Sequence, residues 1–210
     1  MISAAAPFAE RFVTPMAAVA GSVADHVLAA MLMPGHGLDR AHVNNGGDIA
    51  LWTRETPLRL AICEDPVLRA PGGRAVIGPG DGIGGVATSG WRGRSQSMGI
   101  ADAVTVLARD AATADVAATL IANAVDLPGH PAISRLPASA LAPDSDLGVR
   151  PVTTDVGPLA PDEARQALDA GHALAQDYIR RGLIRAACLA VAGQRRAIGD
   201  AISQEEPEYA

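Results

Sequence analysis

The chain has 210 residues and a net charge of −6, and its 17 basic side chains are all arginine. It is 49% hydrophobic with only two each of Trp, Tyr and Phe, so alanine and branched aliphatics must fill a core that a chain of this length can bury unaided. No basic stripe favours nucleic acid, no apolar run is long enough to span a bilayer, and Cys63 and Cys188 sit apart in apolar runs, so a soluble cytoplasmic protein with buried thiols is expected. Residues 1–15 lack the charged-then-apolar order of a signal peptide.

A first helix is expected from Thr14, whose hydroxyl can cap it, with Pro15 at its first position. Met16, Val19, Val23, Val27 and Ala30 share one face, the expected buried face, and Pro34-Gly35 ends the helix. Residues 41–54 read as a strand interrupted by Asn44-Asn45-Gly46-Gly47-Asp48, and residues 57–64 as a second strand. Residues 70–73 read as a turn, 74–77 as a short strand and 78–85 as a glycine-rich loop. Strands follow at 86–89 and 103–108, and a second helix at 113–124. The proline-rich stretch 128–151 reads as a surface connector.

A third helix is expected near Pro161, with Asp162 and Glu163 at its positive end and Gly182 as its stop. Ala164, Leu168, Gly171, Ala175 and Tyr178 mark its packing face. Gly171 there could also serve self-association, so a homo-oligomer is expected. Residues 183–191 and 195–198 read as a closing hairpin, followed by an acidic tail at 204–210. Clustered strands with few, long helices argue for an α+β fold, an antiparallel sheet packed against long helices, in one domain over residues 1–203.

Three segments carry chemistry. Asp115 and Thr119 lie four apart on the second helix, one above the other. A carboxylate and a hydroxyl so placed can share a Mg²⁺, which favours oxygen ligands and often takes only one or two carboxylates plus a phosphate; they can equally serve the helix dipole and packing. Thr88-Ser89-Gly90 ends a strand in hydroxyls and glycine, able to turn backbone N–H groups toward an anion, with Arg92 and Arg94 close behind. The alternative is a tight turn with solvated arginines. Gly46 and Gly47 allow close approach of a ligand or simply form a hairpin. Asp48 and Asp102 are the candidate general bases. The five histidines are scattered, with no metal-ligand spacing.

These segments, with Pro15-Met-Ala-Ala-Val-Ala-Gly21, Gly99-Ile-Ala-Asp-Ala-Val-Thr-Val106 and Asp110-Ala-Ala-Thr-Ala-Asp-Val-Ala-Ala-Thr119, resemble the ApbE-like superfamily. It includes the FAD:protein FMN transferases, and the related uncharacterised protein family 0280 is the nearer likeness. The resemblance covers about residues 12–199. It implies a T-fold-type α+β architecture and a flavin nucleotide, FAD or FMN, or a similar phosphorylated small molecule as ligand. It also implies Mg²⁺ on Asp115 and Thr119, and a nucleotide site at Gly46, Gly47, Asp48, Ser89, Gly90 and Arg94, to which the loop's own Thr88 and Arg92 are added as candidate contacts. If the chain is an enzyme, the implied reaction is FMN transfer from FAD to an acceptor flavoprotein.

The transferases carry a His-x-x-Asp-Pro-x-Thr-Gly segment after the Ser-Gly loop; here Arg94 runs through Ser95-Gln-Ser-Met-Gly99 into Ile100. Related proteins usually have a longer N-terminal portion. A non-catalytic flavin-binding or partner-binding module that assists a flavoenzyme is therefore the alternative.

Overall fold

The computed structural model describes residues 1–65 and 70–203. The acidic tail, 204–210, and the side chain of Cys63 lie outside this description. The fold is mixed α+β, as its strand clusters imply. A six-stranded sheet runs β1 (Arg40–Asn45), β2 (Asp48–Thr53), β5 (Gly85–Ser89), β6 (Ala103–Ala108), β9 (Ala186–Val191) and β10 (Gln194–Ile198), every neighbouring pair antiparallel. A second sheet has the order β11 (Ile202–Ser203), β4 (Ala70–Ile77), β3 (Leu58–Asp65).

Side-chain alternation explains why the large sheet is covered on both faces. Val104 and Val106 of β6, with Ala187, Leu189 and Val191 of β9, join the core shared with the helices. Leu107, Ala186 and Cys188 point the other way and pack with Ile62, Ala75 and Ile77 of the small sheet. Both central strands are buried along their whole length.

The helical layer comprises α2 (Val19–Met31), α3 (Ala111–Ala124) and α5 (Pro161–Arg180), after a short α1 (Ile2–Ala5). In α5 the expected face is the buried one, from Ala164 to Tyr178, and Gly182 follows its end at φ +69°. Glu163 accepts a hydrogen bond from Ala160 N–H at 2.7 Å, which satisfies a free donor at the helix start. Gly171 faces inward: a Cβ there would lie 2.4 Å from a Val125 methyl carbon. The self-association surface expected at Gly171 is therefore the protein's own core.

Four further expectations need correction. The segment after Thr14 opens as a 3-10 turn, Pro15–Ala18, and Thr14 Oγ1 donates to the Asp146 carboxylate rather than capping the helix. The buried face of α2 is Gly21, Ala24 and Leu28, while Met16, Val19, Val23 and Val27 are 37–49% exposed. The cause is proximity: a Cβ at Gly21 would sit 2.3 Å from Ala111 O, so only the small side of the helix fits against α3.

Residues 70–73 belong to β4, not to a turn. The 128–151 connector contains β7 (Ile133–Pro137) and α4 (Ala138–Leu141), and β7 pairs with β8 (Pro151–Val156). Its prolines are compatible because Pro137 and Pro151 sit opposite each other at the end of a two-stranded ribbon, where no third strand requires their N–H.

Gly21→Val is expected to destabilise the fold by about 1–3 kcal/mol through overpacking. Val23→Ser, on the outer face, should stay within about 0.5 kcal/mol of the parent. Thermal melting of both variants checks which face of α2 is buried.

Candidate functional site

The β1–β2 hairpin turns on Gly46 and Gly47 at φ +71° and +113°, a backbone that glycine adopts without strain. Asn44 Oδ1 accepts from Gly47 N–H at 2.9 Å, and Asn45 Nδ2 donates to Ala20 O at 3.1 Å, tying the turn to α2. Asp48 is thereby set at the head of β2. Gly46 also lies under Arg94, whose Nη2 would be 1.9 Å from a Cβ at that position.

Helix α3 brings in Asp115 and Thr119. Asp110 caps its start, accepting from Thr113 N–H at 2.7 Å. Asp25, from α2, accepts from Ala111 and Ala112 N–H at 2.9 Å each. The positive end of α3 is thus already committed to two carboxylates of the chain. One turn further on, Asp115 Oδ2 accepts from Gly21 N–H at 3.0 Å.

These groups line one cavity of about 640 Å³ that holds Asp48, Asp115 and Thr119, with Thr88, Ser89, Gly90, Arg92 and Arg94 on its walls. Asp102 lines it too, as do Gly46 and Gly47. Every residue singled out from the sequence therefore borders the same space. A smaller cavity of about 280 Å³ shares Asp48, Asp115 and Thr119 and opens toward Phe12, Met16 and Val19.

The roles within the cavity differ. Burial pushes the Asp115 carboxyl up to about 7, helped by the nearby Asp48 charge and opposed by the Gly21 and Ala20 N–H groups. Burial likewise raises Asp48 to about 6, against a Thr88 backbone hydrogen bond and the Arg94 charge. Asp102 is fully engaged: Oδ1 accepts from Arg92 Nε at 2.6 Å and Trp91 Nε1 at 3.2 Å, and Oδ2 from Ala192 N–H at 2.7 Å. Arg92 also lies over the Trp91 ring, 4.7 Å from its centroid. Among the described residues Arg94 makes only a long contact, 3.5 Å, to Gly46 O. Thr88 Oγ1 pairs with Thr105 Oγ1 at 2.8 Å.

Among the described residues, no group of three or more His, Cys, Asp or Glu could hold a metal. A cation here would have Asp48, Asp115 and Thr119 and would complete its shell from a ligand and water, as Mg²⁺ does. Thr105, Asn45 and Asp25 escape sequence reading. Thr105 is hidden in an apolar strand, Asn45 reads as a turn residue, and Asp25 as a solvated acid inside a helix.

The carboxylates couple the site to pH. An unfolded aspartate ionises near about 3.9, whereas Asp115 in the fold does so at about 7. The folded state therefore keeps a proton that the unfolded state has lost. That contribution to stability is complete below about pH 4 and disappears as pH rises through about 7. Asp115→Asn keeps an acceptor for Gly21 N–H and carries no charge. At pH 8 it should be more stable than the parent by on the order of 1–3 kcal/mol, with the gap closing toward pH 4. Melting curves across this range test it; an equal or lower midpoint at pH 8 refutes the buried-charge account.

Comparison with known proteins adds a family. The chain is similar to a "UPF0280 protein" of Methanothrix thermoacetophila, 45% identical over 116 residues, covering 54% of this chain and 46% of that protein. It is similar to one of Methanothermobacter thermautotrophicus, 40% identical over 129 residues, 61% of this chain and 48% of the relative. With one of Methanoculleus marisnigri it is 40% identical over 151 residues, 70% and 58%. The chain spans about half the length of most of these relatives. Among the described residues no helix is long and apolar enough to cross a membrane. The family model described as AbpE bacteria matches residues 1–197. On that match, covering all but the last residues, the chain belongs to the AbpE bacteria family.

Proposed function

We propose that the chain binds a flavin nucleotide or similar phosphorylated ligand together with Mg²⁺, on a T-fold-type scaffold of the ApbE-like superfamily. The observation that carries this reading is the pair of carboxylates, Asp48 and Asp115, beside arginines in one cavity. Both carboxyls are raised by burial, and among the described residues neither forms an ion pair. Two neighbouring half-buried carboxylates are costly to ionise together, and a hard cation relieves that cost.

Bound there, Mg²⁺ supplies charge neutralisation and polarisation of a phosphoryl oxygen. The chain's own residues do the rest. Asp48 and Asp115 hold the cation, with the Thr119 hydroxyl as a neutral donor. Arg94, loosely held, turns its guanidinium to the remaining phosphate charge. Arg92 is the poorer anion partner, because Asp102 neutralises it. Asp102 is a positioning residue that fixes the 90–94 loop through Arg92 and Trp91. Where a proton must be accepted, Asp48 is better placed than Asp102, whose oxygens already carry three hydrogen bonds.

Catalysis, on this reading, is FMN transfer from FAD to an acceptor flavoprotein. A binding-only role as an accessory to a flavoenzyme is favoured by the sequence between Arg94 and Ile100, which lacks the transferases' histidine-containing segment. A homo-oligomer, if formed, has the exposed apolar residues of α2 available to it rather than Gly171.

Titration with FAD, followed by flavin fluorescence, is expected to show saturable binding with Mg²⁺ that chelator removes. Asp115→Ala should lose the Mg²⁺ dependence. Arg94→Ala should weaken binding about tenfold, the value of one charge-assisted contact. Equal affinity with Mg²⁺ and with chelator sinks the cation role. An added FMN mass on an acceptor after incubation with FAD separates transferase from binding module.

A further inference from the structure

We propose that the open edge of β1 and the groove beside it dock an extended, acidic polypeptide segment, which adds a strand to the six-stranded sheet. Strand β1 is the end of that sheet, and among the described residues it pairs only with β2. The two-residue turn sets which backbone groups are spent. Asn45 and Asp48 close the hairpin, so the hydrogen-bonded pairs continue as Val43/Ala50 and Ala41/Trp52. The N–H and C=O groups of His42 and Asn44 therefore point away from the sheet, as an added strand requires.

The side chains give the edge its selectivity. Ala41 and Val43 pack toward α2 with Ala24 and Leu28. Arg40, His42 and Asn44 stand on the opposite face, along a groove of about 860 Å³ whose far wall includes Arg59. The ionisable residues lining this groove are Arg40, His42 and Arg59, all basic; Asp39 and Glu55 flank it in sequence but do not line it. No side-chain hydrogen bond or ion pair joins any of the three to a described residue. Several arginines elsewhere are paired with carboxylates, as in Arg92–Asp102, Arg135–Asp126, Arg181–Glu10 and Arg196–Asp169. Two arginines and a histidine without side-chain partners among the described residues, at an open edge, stand out in a chain of net charge −6.

Charges on an edge strand deter indiscriminate pairing. Here they admit a segment whose groove-facing residues are carboxylates. Because side chains alternate along a strand, its intervening residues face the α2 side, beside Ala41 and Val43. Apolar Leu51, Leu58 and Leu60 at the groove take the stems of the acidic residues. The docked segment runs alongside β1 toward the Gly46-Gly47 turn, and so toward Asp48. The docking site stands whether or not Asp48 and Asp115 hold a cation.

The probe is a fluorescent, end-blocked peptide of about eight alternating Glu and Val residues, a strand's length, titrated against the full chain by anisotropy. Saturable binding is expected, weakened about tenfold or more by Arg40→Glu with Arg59→Glu. Binding should be lost in His42→Pro, which removes an outward N–H without touching a β1–β2 hydrogen bond. Should that variant fail to fold, the same peptide N-methylated at alternate residues tests backbone pairing on the unaltered protein and should not bind. A Lys/Val peptide should not bind either. Asp115→Asn should bind the acidic peptide as the parent does, which separates this inference from the proposed function. No saturable binding overturns the inference. So does full binding of the N-methylated peptide, or displacement by inorganic phosphate or an oligonucleotide at concentrations matching the peptide's own affinity.

Discussion

Helix α2 meets the first turn of α3 at a distance that only a glycine permits, with Ala111 O where a Cβ of Gly21 would be. Much of the cavity follows from that contact. It leaves Asp25 beside the first N–H groups of α3, and it aims Gly21 N–H at Asp115. It also brings Ala20 O to Asn45, which steadies the hairpin turn before Asp48. A larger residue at position 21 would part the helices and with them the two carboxylates. Backbone contact of this kind is stiff, because no side chain is present to yield.

The electrostatic arrangement has a division of labour. Asp25 and Asp110 spend their charge on helix N–H groups, and Asp102 spends its charge on Arg92, Trp91 and Ala192. Asp48 and Asp115 are the carboxylates of the cavity left to ionise against burial. The arginines carry charge at every accessible pH, so the response of the site to protons belongs to those two groups.

The sequence was most legible where spacing maps directly onto geometry. Asp115 and Thr119 share a helix face because they are four apart, and Gly46-Gly47 makes a hairpin because both need positive φ. The packing face of α5 followed the same logic. The α2 face did not, because hydrophobic periodicity cannot see that a neighbouring backbone demands Gly21 and Ala24 rather than Val19 and Val23. The β7–β8 ribbon was hidden for a related reason: prolines suppress strand signals, yet they are tolerated at the end of a two-stranded ribbon. Asp102 read as a candidate base because its partners, Arg92 and Ala192, come from positions 10 and 90 residues away.

The order of strands in the large sheet also ranks its parts by resistance to opening. Strands β6 and β9 are buried on both faces at the centre, whereas β1 and β2 lie at one margin beside α2. Backbone amides of residues 103–108 and 186–191 should exchange with solvent only on global unfolding, and those of 40–45 through fraying of the edge. The hairpin that carries Asp48 belongs to a margin of the sheet. One carboxylate of the pair thus stands on the sheet's border and the other on a helix packed against its centre, so the two reach the cavity from parts of the fold that differ in resistance to opening.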